Sequence, residues 1–216
     1  MPRGAFITLE GGEGVGKSSS LTAVENFLRQ AGVEVITTRE PGGTDLGEAV
    51  RRWLLDGEHE NLSAESEALL MFAARSVHLD QVIRPAVERG AWVVCDRFTD
   101  ATIAYQGGGR GARREFLLAL RDEVQQGFGP DLTILLDAPV EVGFARIADR
   151  THDHFERESG AFFSRVRQAY LDLAVAEPER IRVINADASP DEVKSAIESA
   201  LGDFMHNFDA CSRAAS

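Results

Sequence analysis

The sequence predicts an α/β fold: a five-stranded parallel sheet flanked by helices on both faces, in three layers. Five short runs rich in β-branched and other apolar residues alternate with segments of helical periodicity. These runs are apolar nearly throughout, as expected for strands that are covered on both faces. The predicted strands are residues 5–9, 33–37, 91–95, 132–137 and 181–185. Strands joined through helices favour parallel pairing with right-handed crossovers.

The predicted helices cover residues 21–31, 67–87, 116–124 and 190–208. The first carries its apolar residues on one face and is followed by Gly32, a typical stop signal. The second is interrupted near Pro85. Before the last helix, Ser189 and Pro190 stand in the order of an N-cap and a first helical residue. We expect one domain over residues 1–208 and a disordered tail over residues 209–216, which are mostly small or polar.

The composition excludes several classes of protein. Lys and Arg number 23 against 35 Asp and Glu, so the formal net charge is −12, which disfavours a nucleic-acid or anionic membrane surface. Cys95 and Cys211 match no metal-ligand or disulfide pattern. No apolar stretch approaches the roughly 20 residues of a membrane helix, and no signal peptide is evident. We therefore expect a cytoplasmic protein that binds neither nucleic acid nor membrane.

A phosphate-binding loop follows the first predicted strand. The residues Gly11, Gly12, Glu13, Gly14, Val15, Gly16, Lys17 and Ser18 fit the pattern G-x-x-x-x-G-K-[ST]. Glycines let successive backbone N–H groups converge on phosphate oxygens, and the start of a helix adds partial positive charge. Lys17 is expected to reach the β- and γ-phosphates and Ser18 to help hold Mg²⁺. The motif predicts a nucleoside-triphosphate site.

An acid at the end of a neighbouring strand is expected to face the metal. Asp96 ends the buried strand 91–95, and Asp137, which ends strand 132–137, is a competitor. Ligands of open α/β sheets bind at this carboxyl edge. Arg97 directly after Asp96 favours Asp96, since a phosphate site needs both a metal-facing acid and a basic group.

Motifs and domains beyond the phosphate loop distinguish three classes of phosphate-loop protein. The guanine-reading string Asn-Lys-x-Asp and the switch pattern D-x-x-G of GTPases are absent. A motor ATPase normally carries additional domains, for which 216 residues leave no room. A small-molecule kinase needs only the phosphate loop, an acceptor pocket and a mobile element that excludes water.

Four further motifs, in order after the phosphate loop, resemble thymidylate kinases over nearly the whole chain, and the bacterial branch most. They are Thr-Arg-Glu-Pro-Gly-Gly-Thr at 38–44, Leu-Met-Phe-Ala-Ala-Arg at 70–75, Asp-Arg-Phe at 96–98 and Tyr-Gln-Gly-Gly-Gly-Arg-Gly at 105–111. The resemblance implies a P-loop kinase fold with a small lid at about 143–160 and Mg²⁺-dependent phosphoryl transfer from ATP to dTMP, giving dTDP and ADP. It also implies a homodimer.

The resemblance further implies roles on the dTMP side. Arg39 and Arg97 are expected to hold the acceptor phosphate, and Phe72 to stack on the base, although the family often has its ring where this chain has Met71. The remaining expected contacts are Arg75 to the base carbonyl, Thr102 and Gln106 to the base edge, Tyr105 under the sugar and Glu13 toward its 3′-hydroxyl.

On the ATP side, the resemblance places the adenine near Arg146 and near Ala186 and Asp187. The lid normally supplies an Arg to the transferring phosphoryl group, but His154 stands at that position here. We expect Arg150, with Arg157 as the second choice, to supply this charge, so that Lys17, Arg97, Arg150 and Glu13 form the catalytic set.

Two alternative functions remain open at this point. One is a kinase of the same architecture that acts on another acceptor, such as dUMP or a nucleoside. The other is a nucleotide-binding protein without catalysis, which the altered lid makes conceivable.

Overall fold

The five predicted strands form one parallel sheet in the computed structural model, which describes residues 3–56, 62–148 and 158–214, with side chains as far as 208. The strands are β1 (Phe6–Gly11), β2 (Val35–Arg39), β3 (Trp92–Asp96), β4 (Leu132–Asp137) and β5 (Ile181–Asn185). Their order is β2-β3-β1-β4-β5, and every neighbouring pair is parallel. The prediction of a five-stranded parallel sheet is confirmed.

The sheet register brings the residues that follow β1, β2 and β3 to one edge. Asp96, the last residue of β3, lies opposite Leu9 of β1 on one side and opposite Arg39 of β2 on the other. The phosphate loop leaves the same edge after Gly11. The carboxyl ends of the three strands therefore meet where a ligand of an open α/β sheet binds.

The helices in the described ranges are more numerous than predicted. They are α1 (Lys17–Gln30), α2 (Asp45–Asp56), α3 (Ala64–His78), α4 (Arg84–Glu88), α5 (Thr99–Thr102), α6 (Arg114–Gln125), α7 (Val140–Ile147), α8 (Gly160–Ala176) and α9 (Pro190–Ala214), with π-helical turns at Leu79–Ile83 and Ile103–Gly109. The predicted helices correspond to α1, the run from α3 to α4, α6 and α9. The sequence analysis missed α2 and α8 and assigned part of α7 only to the lid.

The helical run is interrupted near Pro85, as predicted: the π-helical turn Leu79–Ile83 separates α3 from α4, and Pro85 falls in the first turn of α4, where its missing N–H costs little. One boundary differs from the prediction. The last helix continues to Ala214, beyond the predicted end at 208. The chain after Gly202 contains neither Gly nor Pro, so no residue there interrupts the helix.

Helices cover both faces of the sheet and complete the predicted three layers. On one face, Val24 and Leu28 of α1 pack with Ile197 and Leu201 of α9 in a fully buried cluster. On the other face, α8 packs against the π-helical turn Ile103–Gly109 and the far end of the sheet. Burial on both faces explains why the central strands β1, β3 and β4 are mainly apolar, whereas the edge strands β2 and β5 are partly exposed and carry more polar residues. Within the described ranges, no helix combines the length and the apolar character that crossing a bilayer requires.

Candidate active site

The phosphate loop has the predicted strand–loop–helix context, between β1 and α1. Gly14 adopts a φ of 68°, and a Cβ atom there would lie 1.9 Å from the carbonyl oxygen of Gly143, so only glycine fits at this position. Gly16 caps α1 in the left-handed conformation, with a φ of 88°. These glycines allow the loop to turn tightly and to approach α7 closely.

Lys17 begins α1 and folds back over the loop. Its Nζ donates hydrogen bonds to the carbonyl oxygens of Gly12, at 2.6 Å, and Gly11, at 3.2 Å. Burial and the neighbouring charge of Arg97 lower the pKa of Lys17 to about 8, partly offset by nearby carboxylates, of which Glu13 acts most strongly. An anion, such as a phosphate group, placed beside Lys17 would favour its charged ammonium form.

One cavity of about 490 Å³ joins the loop to the other predicted site residues. Of the residues that the sequence assigned to the site, those on its wall are Glu13, Gly14, Val15, Gly16, Lys17, Ser18, Asp96, Arg97, Tyr105, Gln106 and Arg146. They lie between positions 13 and 146 and come from the phosphate loop, α1, the end of β3, the turn after it, the π-helical turn Ile103–Gly109 and α7. The structure therefore brings together most of the residues predicted to bind the phosphoryl donor and the phosphoryl acceptor.

The structure distinguishes between the two candidate metal-facing acids. Asp96 lies on the cavity wall, and its Oδ1 is buried without a hydrogen-bond partner among the residues that the structure describes. Asp137 instead accepts two hydrogen bonds from Arg167, at 2.7 and 2.8 Å. An unpaired buried carboxylate oxygen needs a cation or a donor, so Asp96 together with Ser18 fits a Mg²⁺ site. The described residues contain no cluster of three or more acidic, His or Cys side chains, so phosphate and water oxygens would complete the coordination.

Arg97 is the most constrained of the cationic residues. It has a φ of 66°, a conformation that non-glycine residues rarely adopt. Its guanidinium donates to Glu13 Oε1 at 2.6 Å and to the carbonyl oxygen of Gly11 at 3.1 Å. It also stacks over the ring of Tyr105 at 4.8 Å, and the Tyr105 hydroxyl donates to the same oxygen of Glu13 at 2.7 Å. The three predicted residues thus form one interlocked group.

Glu10, which the sequence analysis did not select, supports this group from inside the sheet. Its carboxylate accepts hydrogen bonds from the backbone N–H of Phe98 at 2.7 Å and from the Tyr170 hydroxyl at 2.8 Å. Burial, with the charge of Asp100, raises the pKa of Glu10 to about 7 despite the opposing effect of Arg97. An acid inside an otherwise apolar strand is the sequence signal that could have identified it.

Arg75 and Thr102 lie behind the cavity wall. Arg75 is fully buried and donates to Glu40 Oε2 at 2.7 Å and to the Thr102 hydroxyl at 3.0 Å. Its third nitrogen, Nη1, is buried and has no hydrogen-bond partner in the described part of the chain. His78 supports Glu40 from the other side at 2.9 Å. The predicted contact of Thr102 with the base edge is replaced here by a contact with Arg75.

Two predicted residues lie away from the cavity, and a neighbour takes the place of each. Arg39 is half exposed and pairs with Glu48, both of whose oxygens lie 3.0 Å from Arg39 Nη2, whereas Arg51 of α2 lines the cavity. Phe72 is 1% exposed and packs under Arg75 at 4.5 Å, whereas Met71 lines the cavity. The sequence analysis missed Arg51 because it did not predict α2.

On the predicted adenine side, Arg146 of α7 donates to the carbonyl oxygen of Ala186, at 2.9 Å. This hydrogen bond connects α7 to the loop after β5. Asp187 lies in that loop, where its backbone N–H binds the Asn185 side chain, but it is not on the cavity wall. The lid residues Arg150, His154 and Arg157 lie outside the described residues.

Comparison with known proteins covers most of the chain. The family described as thymidylate kinase matches residues 9–197. The thymidylate kinase of Nitrosomonas europaea is 55% identical over 205 residues, which cover 94% of this chain and 95% of that protein. That of Alkalilimnicola ehrlichii is 54% identical over 203 residues, covering 93% and 94% of the two chains. The crystal structure of thymidylate kinase from Ehrlichia chaffeensis is 33% identical, with a TM-score of 0.75, and covers 93% of this chain and 99% of that one. The P-loop kinase fold is thereby confirmed, and the chain belongs to the thymidylate kinase family.

Proposed function

We propose that this site transfers the γ-phosphoryl group of ATP to dTMP and releases dTDP and ADP, the reaction of the thymidylate kinase family. The observation that carries the proposal is one cavity lined by the phosphate loop with Lys17 and by three arginines, of which Arg51 and Arg97 are the two proposed for the acceptor phosphate. Two phosphorylated nucleotides that face each other need separate cationic groups, since each phosphate chain carries its own charge.

For the donor, the backbone N–H groups from Gly12 to Ser18 and the ammonium of Lys17 would hold the phosphates of ATP. Arg146, with the loop that contains Ala186 and Asp187, would hold the adenine. Ser18 and Asp96 would hold Mg²⁺, supported by the unpaired oxygen of Asp96. When bound, Mg²⁺ neutralises charge on the β- and γ-phosphate oxygens.

For the acceptor, Arg97 and Arg51 would bind the phosphate of dTMP. Arg51 takes the place that the sequence gave to Arg39, because Arg51 is the one on the cavity wall. Tyr105 would pack under the sugar, and Glu13 would orient the 3′-hydroxyl. Met71, in the place of Phe72, would contact the base.

The base edge would be read by Gln106 and by the unpaired nitrogen of Arg75, with Thr102 acting only through Arg75. Arg75 would donate to a carbonyl oxygen of the base. The methyl group of thymine would pack against the apolar part of the wall.

The chemistry follows from positioning and charge. The acceptor is already an anionic phosphate, so no side chain has to remove a proton from it. Lys17 and Arg97 would stabilise negative charge on the oxygens around the transferring phosphorus. Because Glu13 and Tyr105 hold Arg97 before any substrate enters, little reorganisation is needed during the reaction. Arg150, with Arg157 as the second choice, would add a positive charge from the lid.

We propose a cytoplasmic location, where ATP and dTMP are available.

We also propose a homodimer that forms through α2 and α3. Leu46 and Trp53 are exposed on one face of α2, and Leu69 is 50% exposed on α3, which packs beside α2. Large apolar side chains exposed on neighbouring helices are typical of a surface covered by another chain. Replacing Leu69 by Arg is expected to shift the molar mass measured by light scattering from dimer to monomer.

An ADP-release assay with dTMP, dUMP and thymidine tests the proposed reaction. We expect dTMP to be the best acceptor and Lys17→Ala to lower turnover by about 10³-fold or more, without loss of the folded state in circular dichroism. Thymidine used as well as dTMP would indicate a nucleoside kinase. ATP binding without product from any acceptor would indicate a non-catalytic protein.

A further inference from the structure

A buried carboxylate lies directly behind Gln106, one of the residues on the acceptor side of the cavity. Glu67 of α3 is 3% exposed, and its Oε2 accepts a hydrogen bond from Gln106 Nε2 at 3.0 Å. The same oxygen lies 3.1 Å from Nε of Arg110. Arg110 in turn pairs with Glu158, near the end of the predicted lid, at 3.0 Å. Neither Glu67 nor Arg110 was selected from the sequence as a site residue.

This arrangement decides which way the Gln106 amide points. A carboxylate only accepts hydrogen bonds, and the guanidinium of Arg110, 3.1 Å from the same oxygen of Glu67, supplies the opposite charge. The NH₂ group of Gln106 must therefore face Glu67, and the amide oxygen must point the other way. Gln106 lines the cavity, and its oxygen makes no hydrogen bond within the described residues. The side chain thus offers the cavity an acceptor and not a donor.

An acceptor at this point distinguishes between pyrimidines. Thymine and uracil carry a hydrogen on N3 and a carbonyl oxygen at C4, whereas cytosine has a lone pair on N3 and an amino group at C4. The unpaired Nη1 of Arg75, two turns further along α3, is a donor and suits the carbonyl. Cytosine would therefore place its N3 lone pair against the Gln106 oxygen, two acceptors, and its amino group against Arg75 Nη1, two donors. Buried polar groups would be left unpaired.

We propose that Glu67 is a positioning residue that restricts the acceptor site to 4-oxo pyrimidine nucleotides by holding the Gln106 amide in a single orientation. The inference rests on the proposed function, because it assigns to Glu67 the control of a residue that reads the base. It requires no contact between Glu67 and the substrate. Gln106 is the residue that binds, and Glu67 acts only through it.

The test compares kcat/KM for dTMP, dUMP and dCMP in wild type and Glu67→Gln. A glutamine at 67 can accept from Gln106 or donate to it, so the Gln106 amide becomes free to turn over. Since dUMP and dCMP differ only at N3 and C4, their kcat/KM ratio measures the reading of this edge. We expect Glu67→Gln to lower the dUMP-to-dCMP ratio by about tenfold or more. The dTMP-to-dUMP ratio reports the methyl contact and should stay within about twofold of wild type.

Glu158→Gln is the matched control. It makes the same chemical change on the other carboxylate partner of Arg110, but Glu158 lies beside Arg110 and not beside Gln106. We expect it to leave the dUMP-to-dCMP ratio unchanged even if turnover falls. If Glu67→Gln melts below the assay temperature, Glu67→Ala, which also releases the amide, takes its place.

An unchanged dUMP-to-dCMP ratio in the folded Glu67 variant overturns the inference, as does an equal loss of this ratio in Glu158→Gln. Equal losses for all three nucleotides show a structural role only, and also overturn it. Failure of the proposed function is distinguishable, since wild type would then phosphorylate none of the three nucleotides.

Discussion

Glu13 and Arg97 are joined by a 2.6 Å ion pair inside the cavity, although 84 positions separate them in the chain. Glu13 belongs to the phosphate loop after β1, and Arg97 to the turn after β3, the neighbouring strand. The pair connects the donor-binding loop to a residue proposed for the acceptor phosphate. A change at either residue should therefore alter both substrate sites.

The guanidinium geometry of Arg97 should matter more than its charge. Arg97→Lys keeps the charge but cannot reach both Glu13 and the Gly11 carbonyl, so kcat/KM for dTMP should fall by about 10²-fold. Arg39→Lys is the matched control, because Arg39 pairs with Glu48 at a half-exposed position; it should change kcat/KM by less than about threefold. A greater loss in Arg39→Lys than in Arg97→Lys would contradict the assignment. Steady-state kinetics with varied dTMP measure both.

Asp96 and Asp137 should respond differently to the same substitution. Asp96→Asn should raise the Mg²⁺ concentration needed for half-maximal turnover by about 10- to 100-fold. The substitution replaces the unpaired carboxylate on the cavity wall by a neutral amide, which binds Mg²⁺ more weakly. Asp137→Asn breaks the pair with Arg167 and should cost about 1 kcal/mol or less of stability, with unchanged Mg²⁺ dependence. Mg²⁺ titration of turnover, together with thermal unfolding, separates the two. Equal Mg²⁺ dependence in both variants would exclude Asp96 as the metal-facing acid.

The lowered pKa of Lys17 predicts an alkaline limit for ATP capture. Burial and Arg97 bring this pKa to about 8, so the free chain loses the Lys17 charge above that pH. We expect kcat/KM for ATP to fall as the pH rises through about 8. Bound phosphate stabilises the ammonium, so kcat should remain constant to higher pH. A pH profile of kcat/KM that is level to pH 9.5 would contradict this expectation.

The raised pKa of Glu10 predicts that the difference in stability between wild type and Glu10→Gln depends on pH. Its pKa is raised from 4.5 to about 7 by burial, so between these values the folded chain holds a proton that the unfolded chain has released. Glu10 therefore contributes stability below pH 4.5 that is lost as the pH rises through 7. Glu10→Gln removes this titration, so its free energy of unfolding relative to wild type should increase between pH 5 and 8, by on the order of 3 kcal/mol. Urea unfolding at both pH values measures this, and a constant difference would refute it.

Met71 and Phe72 are expected to have separate roles. Met71→Ala removes an apolar contact from the cavity wall and should raise KM for dTMP by about tenfold. Phe72→Leu loses packing under Arg75 and should lower the free energy of unfolding by about 1–2 kcal/mol, with KM nearly unchanged. Kinetics and denaturant unfolding on both variants test the separation. The reverse pattern would restore Phe72 as the residue that contacts the base.

The sequence by itself determined the sheet, the phosphate loop and the family resemblance. The central strands β1, β3 and β4 are buried on both faces, so their apolar runs are visible without knowledge of their neighbours. The phosphate loop is equally local, because strand, glycines, Lys17 and Ser18 are contiguous. Arg97 could also be predicted, since it directly follows a recognisable strand. In each case, adjacency in the chain already implies adjacency in space.

Only the tertiary structure decided between neighbouring candidates. Asp137 and Asp96 both end strands, and the contact with Arg167 from the distant α8 pairs Asp137 and leaves Asp96 as the candidate metal-facing acid. Arg51 rather than Arg39, like Met71 rather than Phe72, lines the cavity because of the face that its helix presents. Which side chain reaches a cavity depends on how an element is rotated and on which partner is closer. Tertiary packing sets both the rotation of the element and its nearest partner, and neither can be read from a single sequence.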